Sequence, residues 1–200
     1  LCGGRDRADV GIIFSPESRD LYSQRLLPDF VGELLDRGYC LRGLWEPYTD
    51  ELRAMDDLRV LVATSAVCLR EANAAPIAEW VRRGGTLIAT PATGWCDEYG
   101  RWRGANPLAE ALGQPLAEHA DFTVGDGRVV CVADGGAVPA SVAEAVAPCL
   151  VSGAGVGCHR RTGDDGRTVL ALVGHDGPVG EVTGSRVCSG SGTMLPQTTM

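Results

Sequence analysis

The sequence predicts an α/β protein: an open parallel sheet with helices on both faces, followed by a small, incomplete antiparallel β segment. Three observations carry this. The stretch Arg59 to Gly94 reads as strand, helix, strand. The same alternation of short apolar runs and helical spacing extends from residue 9 to about residue 150. Beyond 150 the texture changes to short strands split by Gly- and Asp-rich turns.

Within the central unit, Val60, Leu61, Val62 and Ala63 form an apolar run without polar alternation, which suits a strand buried on both faces. Residues 72 to 83 switch to helical spacing: Ile77, Trp80 and Val81 fall at i, i+3 and i+4, while Glu79, Arg82 and Arg83 face away. Gly84 and Gly85 end the helix, because the residue after a helix often needs positive φ. Thr86 to Thr90 is the second apolar run, and Pro91 stops it. The two strands are expected to be parallel, with a right-handed crossover.

Taken in order, Asp9 to Phe14 is the first expected strand, and Glu17 to Arg25 a connector or short helix. Residues 26 to 37 are expected to be helical, with Leu27, Phe30, Val31, Leu34 and Leu35 as the apolar stripe, Pro28 in the first turn and Gly38 as the cap. Cys40 to Trp45 is a strand, and Pro47 to Asp57 a polar connection with about one helical turn. A long loop occupies 91 to 105. Asn106 caps a helix from Pro107 to Leu112. Leu116 to Val124 is weakly strand-like, Arg128 to Ala133 an apolar strand, and 140 to 148 a short helix. Val156 to Arg161, Thr168 to Val173 and Val179 to Val182 are short strands around the turns 163–166 and 176–178. Residues 185 to 200 lack usable periodicity and are expected to be disordered. The expected organisation is a remnant (1–8), an α/β domain (9–150), a partial β domain (151–184) and a tail (185–200).

Composition narrows the function classes. The chain has 200 residues and a formal charge of −8, which argues against nucleic acid as a partner. Every basic residue is Arg, which we read as coding bias. No apolar run approaches the ~20 residues of a membrane helix. The eight cysteines are scattered without CxxC spacing, so no zinc or redox motif and no cofactor is indicated. A reducing, cytoplasmic compartment is the expectation. The first residue is Leu, so the chain reads as a fragment, and the sequence is silent about any leader upstream.

Several runs resemble one family. DVGIIFSPES, DLRVLVATSAVCL, EWVRRGGTLIATPATGWCDEYGR and NPLAEALGQPLAEHADF are similar to the trimerisation domain of family 42 β-galactosidases. The most specific matches are Gly84-Gly85-Thr86-Leu87, Thr93-Gly94, Asp97-Glu98, Gly100-Arg101, Pro107-Leu108 and Leu112-Gly113. The resemblance covers roughly 8 to 135. It implies a flavodoxin-like fold, related in shape to class I glutamine amidotransferases without their chemistry. The tail around 155 to 182 is similar to the family's small β domain, with Gly174-His175 where the family often has Asn-His. The implied role is non-catalytic assembly into a homotrimer. Carbohydrate substrate would be bound only by a barrel that this chain lacks. The alternatives are an amidotransferase-like small-molecule enzyme or sensor, and a carbohydrate-associated domain of another hydrolase.

Ligands of open α/β sheets bind outside the carboxyl ends of the strands, here Ser15 to Ser18, Thr64 to Arg70 and Pro91 to Gly104. Cys68 follows a strand where related hydrolases place a nucleophile, yet its neighbours Ala66, Val67, Leu69 and Arg70 are not the glycines of a strained elbow. A His-x-Glu pattern is absent; His119 gives only His-Ala-Asp. Cys68 is therefore read as a packed thiol. Glu17, Asp97 and Glu98 are read as loop caps or partners of Arg19, Arg101 or Arg103, since a glycosidase pair would sit on a barrel of ~250 residues. Cys158 and His159 are adjacent, so in a strand they point to opposite faces; with His175 they are read as ordinary surface or core residues. No catalytic, cofactor or metal residue is assigned. The loop 91–104 carries Trp95, Asp97, Glu98, Tyr99, Arg101 and Trp102, aromatic and Arg anchors amid charge, and is expected to pack against a neighbouring subunit or else to roof its own core.

Overall fold

The computed structural model describes residues 5–23, 28–148, 156–162 and 168–174. The elements are β1 (Arg5–Arg7), β2 (Val10–Phe14), α1 (Pro16–Tyr22), α2 (Phe30–Asp36), β3 (Leu41–Trp45), α3 (Thr49–Arg53), β4 (Val60–Val62), α4 (Glu71–Arg82), β5 (Thr86–Ala89), α5 (Pro107–Leu112), β6 (Asp121–Val124), β7 (Gly127–Cys131), α6 (Val138–Ala145), β8 (Val156–Thr162) and β9 (Thr168–Gly174).

The main sheet has the order β3-β2-β4-β5-β7-β6. Its first five strands are parallel, and β6 runs antiparallel to β7 at one edge. Because the central strands are apolar at nearly every position, they supply two cores. Ile13, Leu61, Ala63, Leu87 and Ala89 face one cluster, closed by Leu52 of α3, Ile77, Trp80 and Val81 of α4, and Leu108 and Leu112 of α5. Val10, Ile12, Val60, Val62 and Ile88 face the other, closed by Phe30 and Leu34 of α2 and Val138 and Val142 of α6. Helices thus cover both faces, as the sequence pattern requires.

The helix ends follow local chemistry. Gly84 adopts φ +107 after α4 and Gly113 φ +80 after α5, conformations that favour glycine. The Asn106 side chain accepts from the N–H groups of Leu108 and Ala109, capping α5 as expected. At Gly127 a Cβ would overlap the Val81 carbonyl oxygen, so the start of β7 packs backbone to backbone on the end of α4.

Some expectations shift. The helix expected over 26 to 37 begins only at Phe30; Pro28 precedes it and receives the Val31 N–H at 3.0 Å. Leu27 lies outside the described residues. Of Leu116 to Val124 only Asp121–Val124 is strand, paired to β7 as a hairpin through Gly125 and Asp126. The last helix starts at Val138, with Pro139 in its first turn. Arg5 to Arg7, expected as part of a remnant, form β1 and pair antiparallel with β8, which pairs with β9. Three residues are too few to show a period, so this pairing has no sequence signal. The strand expected over 179–182, the turns 163–166 and 176–178, His175 and the tail 185–200 lie outside the described residues.

Candidate functional site

The carboxyl edge of the sheet brings together the ends of β2, β3, β4 and β5. Ser15 caps α1 by accepting from the Ser18 N–H. The same serines clamp the segment after β4. Ser15 Oγ donates to the Cys68 carbonyl at 3.0 Å, the Cys68 N–H donates to Ser18 Oγ at 2.8 Å, and Ser18 Oγ donates to Ser15 Oγ at 2.8 Å. On its other side this segment pairs in parallel with the loop after β5. The Cys96 N–H donates to Val67 O, and the Leu69 N–H donates to Cys96 O.

Cys68 is therefore held on both flanks. Its thiol is buried with Val67 and Cys96, and burial pushes it up to about 11. Among the described residues only Ser23 and His119 are non-glycine residues with positive φ, so Cys68 is not on a strained elbow. His119 is on the surface beside Glu118. Cys96 Sγ donates to Tyr22 Oη at 3.2 Å, and Tyr22 Oη donates to Gly100 O at 2.6 Å. This contact with Cys96 is the main reason the Tyr22 phenol is pushed up to about 12.

The loop after β5 is internally braced. Asp97 accepts from the backbone N–H groups of Tyr99 and Arg101 at 2.9 and 2.8 Å, and these bonds, the Arg101 one first, hold its carboxyl below the usual range. Cys96 and Trp102 form an antiparallel bridge, so 96 to 102 is a tight hairpin. Arg103 donates to Leu69 O at 2.9 Å and lies 3.8 Å from Glu98. Cys96 is the residue that points into the core. Tyr99 and Trp102 stand outside it, 69% and 63% exposed, and Trp95 is half-buried against Trp102 with ring centroids 6.1 Å apart. Trp102 also meets Tyr22 edge-on, and Arg101 lies over the Tyr99 ring.

Asp97 and Glu98 thus have the partners expected of them, and Glu17 does not. Arg19 pairs with Asp20, and Glu17 is held instead by Arg70 at 3.2 Å. Arg70 also pairs with Glu46, whose carboxylate accepts from the Arg70 N–H at 2.5 Å and from Asn73 Nδ2 at 2.7 Å. Glu46 is buried, and burial raises its pKa against the opposing pull of Arg70. Sequence reasoning missed Glu46 and Asn73; a lone Glu before Pro47 and an Asn in a helix carry no pattern, because their meeting depends on β3 lying beside β2.

A cleft of about 840 Å³ opens beside this edge, at the ends of β4, β5 and β7 and the start of α2. Among the described residues no group of three His, Cys, Asp or Glu converges as a metal set, and no helix is long and apolar enough to cross a membrane.

No family model and no curated protein matches the sequence. Solved structures match the fold. A β-galactosidase from Bacillus circulans sp. alkalophilus superposes at TM-score 0.58 and 15% identity, covering 79% of this chain and 34% of that one. A cold-adapted β-galactosidase from Rahnella sp. R3 gives 0.58 and 18%, covering 80% and 35%. An exo-carrageenase of glycoside hydrolase family 42 from Bacteroides ovatus gives 0.51 and 12%, covering 89% and 27%. This chain spans about a third of the length of the two β-galactosidases. At these identities the likeness is one of fold.

Proposed function

We propose that this chain is a non-catalytic assembly domain of a family 42-type glycoside hydrolase, with a flavodoxin-like sheet. The parallel strands β3-β2-β4-β5-β7 follow the order 2-1-3-4-5 of that fold when counted along the chain. The parent would hydrolyse terminal β-D-galactosides on a barrel outside these residues. The β8–β9 ribbon would begin its small β domain.

The observation that carries the reading is the hairpin 96–102. A rigid tip holding Tyr99 and Trp102 in solvent is an anchor whose ordering entropy is already lost in the free chain. Asp97, Glu98 and Arg101 give it a charged rim, and Trp95 backs Trp102. The anchor would join copies of the parent into a homotrimer. At the sheet edge Glu17 and Glu46 are paired with Arg70, and Cys68 is sealed. This weighs against an amidotransferase-like reading.

Tyr99→Ala with Trp102→Ala in the full-length protein should lower the mass found by light scattering from trimer to monomer, with the circular dichroism unchanged. An unchanged trimer overturns the interface assignment. The 200-residue chain should release no chromophore from nitrophenyl β-galactoside, and turnover lost on mutating Glu17 or Glu98 would overturn the non-catalytic one.

A further inference from the structure

Two loops leave the carboxyl edge side by side, and each carries a cysteine at the same level. Cys68, after β4, and Cys96, after β5, are partners in a parallel β bridge. The Cys96 N–H donates to Val67 O at 2.9 Å and the Leu69 N–H donates to Cys96 O at 3.0 Å, so the register is fixed on both sides of Cys68. Backbones paired in this way stand about 5 Å apart, inside the ~4.4–6.8 Å between Cα atoms that a disulfide spans. Both thiols are buried in one small cluster with Val67, against Tyr22 and Ala92. The other described cysteines are elsewhere. Cys40 precedes β3 at the amino end of the sheet, Cys131 stands across from Ala89, and Cys158 lies in β8 of the second sheet.

The two thiols have different surroundings. Cys96 Sγ donates to the half-buried Tyr22. Cys68 lies on the inner side, its peptide held by Ser15 and Ser18.

We propose that Cys68 and Cys96 are a two-electron redox site, a dithiol that hydrogen peroxide closes to a disulfide. Cys96 Sγ attacks one peroxide oxygen, the O–O bond breaks, and the Cys96 proton leaves with the other oxygen as water. Cys68 Sγ then attacks Cys96 Sγ, the S–O bond breaks, and the departing hydroxyl takes the Cys68 proton as a second water. The pair loses two electrons and two protons, and one peroxide becomes two waters. Burial makes these steps slow, and it leaves Cys68 as the described thiol beside the sulfenic acid. The bond fastens the base of the hairpin 96–102 to the segment that Ser15 and Ser18 already hold. The pair lies at the hairpin's base and works the same whatever meets its tip.

The test starts from the reduced 200-residue chain, treated with hydrogen peroxide in native buffer, blocked with iodoacetamide on denaturation and digested with trypsin without reduction. Cleavage after Arg gives peptides 60–70 and 84–101, each with a single cysteine. A species two hydrogens lighter than their sum should accumulate and disappear with dithiothreitol. The cross-linked chain should melt about 5–10 °C higher than the reduced one, with its circular dichroism unchanged. Cys68→Ala should leave Cys96 as a sulfenic acid that dimedone traps on denaturation; Cys96 recovered reduced from a folded variant overturns the order of the two steps. If that variant does not fold, the wild-type cross-link and melt decide. Absence of the linked peptides at a peroxide dose that fully oxidises glutathione, linkage of Cys68 or Cys96 mainly to another cysteine, or a cross-linked chain that melts lower overturns the proposal.

Discussion

Alkylation of Cys68 gives a quantitative measure of whether this sheet edge was built for nucleophilic chemistry. The thiol sits at about 11, raised first by burial. At pH 7 its thiolate fraction is then about 1 in 10,000, against about 3 in 100 for a free cysteine at about 8.5. That ratio is about 300-fold. A more basic thiolate is also a better nucleophile, with a Brønsted slope of about 0.4–0.5, which returns about 13-fold over the 2.5-unit difference. The chemistry alone should therefore run about 20-fold slower than a free thiol. Access slows it further: Cys68 is 1% exposed, and the Ser15–Ser18 clamp must open first. Iodoacetamide labelling, quantified at the Cys68 peptide by mass spectrometry against glutathione, should show this deficit. The rate should climb about tenfold per pH unit from 7 to 10 without a plateau. Cys131, also raised to about 11 by burial, should behave alike. A plateau near neutrality, or a rate matching glutathione, would refute the packed-thiol argument and revive a catalytic role.

Other outcomes follow from the same contacts. Glu46→Ala leaves Arg70 with Glu17 alone and removes the side-chain acceptor of Asn73, and should cost about 1–3 kcal/mol in urea unfolding, with Glu46→Gln milder. Gly127→Ala forces a Cβ into the Val81 carbonyl and should cost more than about 2 kcal/mol, read as a lower midpoint with unchanged slope. Asn106→Ala removes the α5 cap and the bond to Thr93 O, an expected loss of about 1–2 kcal/mol by the same assay. Asp97 has a depressed folded pKa, so its stabilisation is present above the ordinary carboxylate value and lost as pH falls below it. Thermal melts of Asp97→Asn should accordingly lose part of the acid-side slope, and an unchanged slope would contradict the two backbone bonds assigned to Asp97.

The sheet was legible because its strands announce themselves. Val60 to Val62 and Thr86 to Ala89 are apolar at consecutive positions, and Ile77, Trp80 and Val81 recur at helical spacing between them. The helix ends at Gly84 and Asn106 were equally local. What the sequence hid was long-range. The Glu46–Arg70–Glu17 linkage joins residues 24 and 53 positions apart, and it exists only because β3 and β4 both flank β2. The Cys68–Cys96 pairing depends on two loops running side by side past the ends of β4 and β5. The hairpin 96–102 was visible as an aromatic, charged loop, but which aromatics faced solvent was not; that is set by Cys96 turning inward and leaving its neighbours no room in the core.

These hidden contacts share a direction. Much of the polar chemistry at the carboxyl ends of β2, β3 and β4 is spent on another part of the same edge: Ser15 and Ser18 on the Cys68 peptide, Glu46 and Glu17 on Arg70, Arg103 on Leu69 O, while Glu17 Oε2 and Asn73 Oδ1 stay buried without a hydrogen-bond partner among the described residues. An active site of the hydrolase kind needs the opposite, groups left unpaired until substrate arrives. Here the bonding produces stiffness, and the stiffness is delivered to the hairpin, which leaves the edge with Asp97 consumed by its own backbone and Tyr99 and Trp102 outermost. The braced edge thus ends in a hairpin whose outermost groups are aromatic rings, which is the arrangement of a docking anchor rather than of a reaction centre.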